Sequence, residues 1–354
     1  MSRFMRECYS SLVPYTPGEQ LNDKKYIKLN TNESPYPPSP KVKEALNGEV
    51  IDNLKLYSDP ELKALKDAIA KHFGLKRENV FCGNGSDDVI AFSIMAFCGN
   101  GGELCCPDIT YSFYPVYCDL FNVNLIQKPL KDDFTIDVND YIGINKNIII
   151  ANPNAPTGLV LTVDEIEKIV ASNPDNVVII DEAYVDFCSE TCVELLEKYN
   201  NLIVTQTFSK SRSLAGLRLG FALASEELIS DLEKIKYSFN PYNINTLGVM
   251  AGAAAIADDE YYRECNRKTV AIREKTKLML KECGFECLDS QSNFIFAKHN
   301  KIPAEQLYLS LKNKGILIRY FNKPRISEYV RITVGDDWQM EEFVRAVSLI
   351  AKEF

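Results

Sequence analysis

NVVIIDEAYVDF, residues 176–187, is an apolar run that ends on two acids and an aromatic. Val177–Ile180 are four β-branched residues with no polar alternation, the pattern of a strand buried on both faces, as in parallel sheets covered by helices. Three more runs read the same way: Glu103–Cys106, Asn147–Ala151 and Leu202–Thr205. Among them lie amphipathic stretches of helical period, Glu61–Phe73, Ser86–Cys98, Val163–Ser172 and Thr191–Lys198. Ser86 ahead of Asp87 and Asp88, and Thr162 ahead of Glu165, are helix starts. The order from residue 50 to 225 is therefore strand, helix, strand, helix. The fold class expected is α/β, a mostly parallel sheet with helices on both faces.

Beyond residue 225 the alternation stops. Glu226–Ser238 and Leu247–Cys283 read as helices, the second interrupted near Asp258–Asp259. There follow Asn293–Ala297, a helix over Ala304–Lys314, Ile316–Tyr320, Tyr329–Thr333 and a last helix, Met340–Phe354. This α+β pattern predicts a second, smaller unit. The proline-rich SPYPPSP, residues 34–40, suits neither helix nor central strand and should cross between units in extended form. The expected division is an N-terminal segment, 1–45, packed with the small unit, a large cofactor-binding unit, 46–240, and a connecting helix with the small C-terminal unit, 241–354.

Length and composition narrow the chemistry. A chain of 354 residues suits about two domains. Its 49 acidic and 40 basic residues leave a net charge of −9, the wrong sign for a general nucleic-acid binder. No apolar run reaches the ~18–20 residues of a membrane span. The opening MSRFMRECYSSLVPY lacks the apolar centre of a signal peptide, so a cytoplasmic location is expected. The 11 cysteines include an adjacent pair (Cys105, Cys106) and two CxxxC spacings, none of them a zinc or redox pattern. They read as buried, reduced side chains. With only His72, placed mid-helix, and His299, placed in a polar turn, neither a metal site nor a histidine-based hydrolase is expected.

Three motifs carry candidate chemistry. TFSKSRSLAGLRLGF, Thr207–Phe221, follows a strand and holds Lys210 among hydroxyls, with Arg218 eight residues on. Such charges could be plain solvated loop groups. They also suit a lysine that forms a Schiff base with an aldehyde cofactor, with Thr207, Ser209 and Arg218 on its phosphate. Asp181 ends its strand where ligands of open α/β sheets bind. It could cap a helix or ligate a metal; facing a pyridinium nitrogen, it would keep the ring protonated as an electron sink. Tyr184, three residues on, could reach the ring's phenolic oxygen. Thirdly, CGNGSDDVI, Cys82–Ile90, is a Gly-rich turn opening a helix, so the amides of Gly85, Ser86 and Asp87 could hold an anion. It is neither a P-loop nor a dinucleotide fingerprint.

Together these motifs resemble the pyridoxal-phosphate aminotransferases of fold type I, and more closely the histidinol-phosphate aminotransferase family. Further matching segments run in order along the chain: LVPYTPGEQ (12–20), IKLNTNESPYPPSP (27–40), LYSDP (56–60), TYSFY (110–114), NPNAPTG (152–158), NFIFAK (293–298), ILIRYF (316–321) and YVRITVG (329–335). The resemblance implies pyridoxal 5'-phosphate as cofactor, with Lys210 as its Schiff-base lysine, Asp181 on the ring nitrogen, Tyr184 on the ring oxygen and Tyr111 stacked on the ring. It places Gly85, Ser86, Asp87, Thr207, Ser209 and Arg218 at the cofactor phosphate, joined by Tyr57 from a second subunit of a homodimer. Arg331 would pair with the substrate carboxylate, and Tyr15, Asn32, Glu33 and Arg319 would meet the imidazole and phosphate ends. One departure stands out: the family's NPNNPTG is NPNAPTG here, so Ala155 replaces the ring-oxygen asparagine. Asn154 or Asn152 must then substitute, or Tyr184 must act alone. The implied reaction is transfer of the glutamate amino group to imidazole-acetol phosphate in histidine biosynthesis. The alternatives are an aromatic-amino-acid aminotransferase and a lyase resembling threonine-phosphate decarboxylase.

Overall fold

The computed structural model describes residues 2–21, 23–188 and 190–354. Its largest sheet has seven strands, in the order Val80–Gly83, Gly220–Ala224, Leu202–Thr207, Val178–Asp181, Asn147–Ala151, Glu103–Pro107 and Asn124–Lys128. Gly220–Ala224 runs antiparallel to both its neighbours, and every other pairing in the sheet is parallel. The β-branched runs form its centre because both faces are covered. Ile148, Ile150, Val178, Ile180 and Val204 enter one apolar core, while Ile149, Ile179 and Ile203 enter the core on the opposite face. Alternating side chains thus supply two cores from one strand set.

Helix boundaries follow local chemistry. The Thr162 hydroxyl accepts from the Glu165 amide while the Glu165 carboxylate accepts from the Thr162 amide, so Val163–Ser172 starts where the sequence places it. The helix Ser86–Phe97 begins differently. Gly85, at φ +92, caps it, and Ser86 is its first helical residue. The expected helix over Thr191–Lys198 is a short 3-10 segment, Cys192–Glu197. Among the described residues, five strands were not expected from sequence: Ile27–Lys28, Val80–Gly83, Asn124–Lys128, Gly220–Ala224 and Phe285–Cys287. Two of these lie inside Gly-rich motifs, where glycine masks strand propensity.

The C-terminal part builds a four-stranded antiparallel sheet, Arg319–Tyr320, Val330–Thr333, Phe294–His299 and Phe285–Cys287. His299 therefore closes a strand rather than sitting in a turn, its ring meeting the Cys283 carbonyl and the amides of Lys301 and Ile302. Ile27–Lys28 pairs in parallel with Ile316–Leu317, which ties the N-terminal segment to this sheet. Two helices, Thr246–Ala257 and Asp259–Glu282, break at Asp258 as the acidic pair suggests. Among the described residues, no helix is long and apolar enough to cross a membrane. All 11 cysteines are free, and burial raises the thiols of Cys82 and Cys98 to about 12.

Candidate active site

The carboxyl ends of four parallel strands meet at one cavity of about 550 Å³, lined there by Asp108, Ala151, Asp181 and Thr207. Side chains lose their helix covering at this edge, which is why open α/β sheets bind ligands there. The N-terminal segment (Tyr15, Asn32, Glu33) and the small sheet (Arg319, Arg331) close the other side.

Asp181 sits at the floor with both oxygens occupied. Oδ2 accepts from the Tyr114 hydroxyl at 2.7 Å, and Oδ1 accepts from the Ala183 amide at 3.2 Å and the Thr205 hydroxyl at 3.4 Å. Burial raises this carboxyl to about 6, and those donors oppose the shift. Tyr114 and Thr205 were not anticipated from sequence. The signal available for Tyr114 was its place in TYSFY, three residues after Tyr111, at the start of the helix Tyr114–Phe121.

Lys210 extends from the loop after Leu202–Thr207 and donates to the Thr31 carbonyl at 3.0 Å. Its Nζ lies 5.9 Å from the centre of the Tyr184 ring. Desolvation, followed by the positive charge of Arg331, lowers this amine to about 8. The Tyr184 hydroxyl accepts from the Asn32 amide at 2.9 Å, and Asn32 holds a left-handed backbone at φ +56. The Asn32 side-chain oxygen in turn accepts from Thr333. Asn32 thus lines the cavity beside Tyr184 and links it to the small sheet through Thr333.

The anion turn differs in detail from the expectation. The Gly85 amide is spent on the Gly83 carbonyl at 2.8 Å, so of the three amides expected there Ser86 and Asp87 remain as first-turn donors without intrahelical acceptors. Gly85 contributes space instead: a Cβ there would lie 2.6 Å from Arg218 Nη2. A Cβ at Gly220 would come within 2.2 Å of the Ser86 nitrogen, so strand and helix start touch through glycine. Arg218 donates to Ser209 Oγ at 3.3 Å and to Asp87 Oδ2 at 3.0 Å, and Asp87 Oδ1 also accepts from Tyr111 at 2.9 Å. Thr207 Oγ1 accepts from the Ser209 amide. Ser86, Asp87, Tyr111, Thr207, Ser209 and Arg218 all reach the cavity wall.

Three of the expected residues do not line this cavity. Asn154 is buried away from the cavity, its amide donating to the Ile109 carbonyl and Thr157 hydroxyl while its oxygen accepts from Thr110. Asn152 is likewise spent, clamping both backbone groups of Leu161. Of the three substitutes for the missing asparagine, only Tyr184 faces the cavity, and Ala155 lies bare on its wall. Tyr57 is 84 % exposed and stacks on Tyr242 at 4.7 Å, outside the cavity of its own chain.

On the small-sheet side, Arg319 and Arg331 are direct cross-strand partners. Like charges so placed repel. Phe321 lies beside both, 5.6 Å from each guanidinium, and Phe294 lies 5.4 Å from Arg331. Arg319 donates to the carbonyls of Thr16 and Pro17. Arg331 donates to the Asn30 carbonyl, but its buried Nε has no partner among the described residues. An unsatisfied buried donor costs roughly 1–3 kcal/mol, a deficit that an anion in the cavity would remove. Burial, chiefly, lowers Arg331 below its ordinary value. Tyr15 packs edge-on against Phe113 at 4.7 Å, its phenol raised by burial. Glu33 pairs with Lys28 at 2.7 Å; burial opposes ionisation there, yet Lys28 and Thr31 hold the carboxyl below its usual range.

The chain matches the family described as aminotransferase class I and II over residues 24–347. It is 55% identical over 353 residues to the histidinol-phosphate aminotransferase of Brachyspira hyodysenteriae, covering 99% of this chain and 100% of the relative. It is 48% identical over 344 residues to the enzyme of that name from Clostridium acetobutylicum, covering 97% and 98%. The crystal structure of the Sinorhizobium meliloti histidinol-phosphate aminotransferase with pyridoxal-5'-phosphate superposes with a TM-score of 0.91 at 24% identity, covering 100% of this chain and 99% of that one, and so shares the fold. With its lysine, aspartate and arginines gathered around one cavity, this chain belongs to the class I and II aminotransferases and, within them, to the histidinol-phosphate aminotransferase family.

Proposed function

We propose that the protein moves the amino group of glutamate to imidazole-acetol phosphate, giving 2-oxoglutarate and histidinol phosphate, with pyridoxal 5'-phosphate as cofactor. The observation that carries this reading is the pairing of two anion sites with Lys210 and Asp181 in a single cavity. One anion site is Ser86, Ser209 and Arg218; the other is Arg319 and Arg331. The donor set suits the cofactor. Hydroxyls, first-turn amides and a guanidinium would hold its phosphate, Asp181 its ring nitrogen, Tyr184 its ring oxygen and Tyr111 its ring face.

When bound, the cofactor supplies a protonated pyridine ring that withdraws electrons from the substrate's reacting carbon. Asp181 keeps a proton on that ring nitrogen. Its three donors hold the carboxylate in place while it does so. Lys210, lowered to about 8, is about one-tenth neutral at pH 7, far more than an ordinary lysine, and the neutral amine is the group that takes the proton from the substrate carbon and returns it. Arg331 binds the glutamate carboxylate, and Arg319 with Tyr15 binds the substrate phosphate. A planar guanidinium fork suits both anions.

A homodimer in the cytoplasm completes the proposal, with residues 46–240 carrying the cofactor and 1–45 and 241–354 covering it. Ile51, Leu54, Leu56 and Tyr57 expose apolar surface on one short segment, with Tyr242 stacked against it, and this supports pairing of two copies there. The test is single-turnover spectroscopy of the loaded protein, with sedimentation of the same sample. Histidinol phosphate should convert the cofactor faster than phenylalanine at equal concentration, in a particle of two chains. Conversion by phenylalanine alone would make the protein an aromatic aminotransferase, and release of carbon dioxide would make it a lyase.

A further inference from the structure

The loop between the strands Arg319–Tyr320 and Val330–Thr333 supplies Phe321, Lys323, Pro324, Arg325 and Ile326 to the cavity wall. It belongs to the small sheet, yet its tip is anchored on the large one. Arg325 Nη2 donates to the carbonyls of Leu130 and Lys131 at 2.8 and 2.7 Å, and Nη1 to Asp108 Oδ2 at 3.3 Å. The other Asp108 oxygen accepts from the Leu130 amide at 2.9 Å, so this carboxylate bonds both the guanidinium and the backbone of Leu130, whose carbonyl the guanidinium also holds. Arg325 also stands 5.7 Å from the Phe134 ring. Its backbone is left-handed, at φ +65, a conformation that a long side chain keeps only when its surroundings hold it. Beside it Ile326 is buried in an apolar seam with Ile109, Leu130, Phe134 and Phe296.

We propose that Arg325 is a positioning residue for the amino-phosphate substrate. By gripping Asp108 and the 130–131 carbonyls, it sets the 321–326 loop across the cavity mouth and so places Phe321, which flanks both Arg319 and Arg331. Its guanidinium is spent on protein acceptors, so it acts through the loop rather than by touching the phosphate. The same grip reaches the ring-stacking residue, because Asp108 precedes Tyr111 by three positions. This inference rests on the reading of Arg319 and Arg331 given above and adds a determinant of affinity that lies outside them.

The experiment compares Arg325→Gln, Arg325→Lys and Asp108→Asn with the wild-type holoenzyme, measuring each half-reaction separately, with hydrogen exchange over residues 319–330. Arg325→Gln should raise the KM for histidinol phosphate about tenfold, the loss expected when the released loop weakens one charge-assisted contact made by the neighbouring Arg319. The limiting rate of that half-reaction should change less than about twofold, since the reacting groups are untouched. Asp108→Asn should raise the same KM and speed exchange in the same loop. A direct phosphate contact by Arg325 predicts the opposite, that freeing the arginine leaves KM unchanged or lowers it; that outcome overturns the proposal. So does a fall in limiting rate at constant KM, or unchanged exchange. Arg325→Lys should recover part of the affinity lost in Arg325→Gln, and a KM in the lysine variant no lower than in the glutamine variant would also reject the role. Failure of the wild-type protein to convert histidinol phosphate would instead refute the substrate reading itself, which keeps the two failures apart.

Discussion

The two walls of the cavity are built on opposite plans. On the large sheet, Asp181 has both oxygens bonded, and Asp87 ties Tyr111 to Arg218. On the small sheet, two like charges face each other across a strand pair, cushioned by Phe321, and the buried Nε of Arg331 has no partner among the described residues. The first wall is organised in advance for charge that develops on a permanently held group. The second keeps unsatisfied donors for anions that come and go. Such a division suits a site where one ligand stays and two substrates alternate, since satisfied networks are rigid and unsatisfied donors carry binding energy.

The sharpest way to break this contrast is to remove the one group that serves both walls. Lys210→Ala should lower turnover by more than about 10⁴-fold, because proton transfer loses its base. Borohydride treatment of the wild-type loaded protein should leave a cofactor adduct on Lys210 by peptide mass spectrometry, and an adduct elsewhere would reject the assignment. The rate of cofactor capture by the empty protein carries a pH signature. The lysine is lowered to about 8, so its nucleophilic neutral form grows as pH rises towards 8 and saturates above it. Capture that keeps rising to pH 10 would mean an ordinary, solvated amine.

A substitution on the small-sheet wall should be felt by binding alone. Arg331→Ala should weaken glutamate by about 10- to 150-fold, and Arg319→Ala should weaken histidinol phosphate while sparing glutamate. Equal losses for both substrates in both variants would show that the two arginines act as one anion site. The smallest expected effect lies on the large-sheet wall. Tyr114→Phe removes one donor to the Asp181 carboxylate, which shifts that carboxyl further up from about 6. More of it is then protonated in acid, so a loss of about three- to tenfold should be greater at pH 6 than at pH 8. A loss independent of pH would assign Tyr114 to packing.

Much of this site was legible beforehand because its residues sit in contiguous motifs. Thr207, Ser209, Lys210 and Arg218 share one loop, and the β-branched runs that place Asp181 have no other reading. Gly85 and Asn154 show where such reasoning stops. A Gly-rich turn announces donors, but not that the Gly85 amide is consumed locally. An asparagine next to the family's usual position announces chemistry, but not that three neighbours already hold its amide.

Asp181 and Glu182 draw the boundary most clearly. Composition and periodicity alone determined a helix-covered parallel sheet, a strand ending in two acids and the strand's two faces, because a two-residue period sends neighbours to opposite sides. Which acid faces the ligand was decided only by tertiary packing. Asp181 turns to the cavity, whereas Glu182 is buried under the Cys192 amide, the Thr191 hydroxyl and the Gln206 amide, where burial raises it to about 7. The same holds for the arginines. Arg319 and Arg331 are readable as charges in the sequence, but their cross-strand register, the shared Phe321 and the orphan Nε exist only once distant strands pair. Local propensity acts through neighbours in the chain, while electrostatics and desolvation act through neighbours in space.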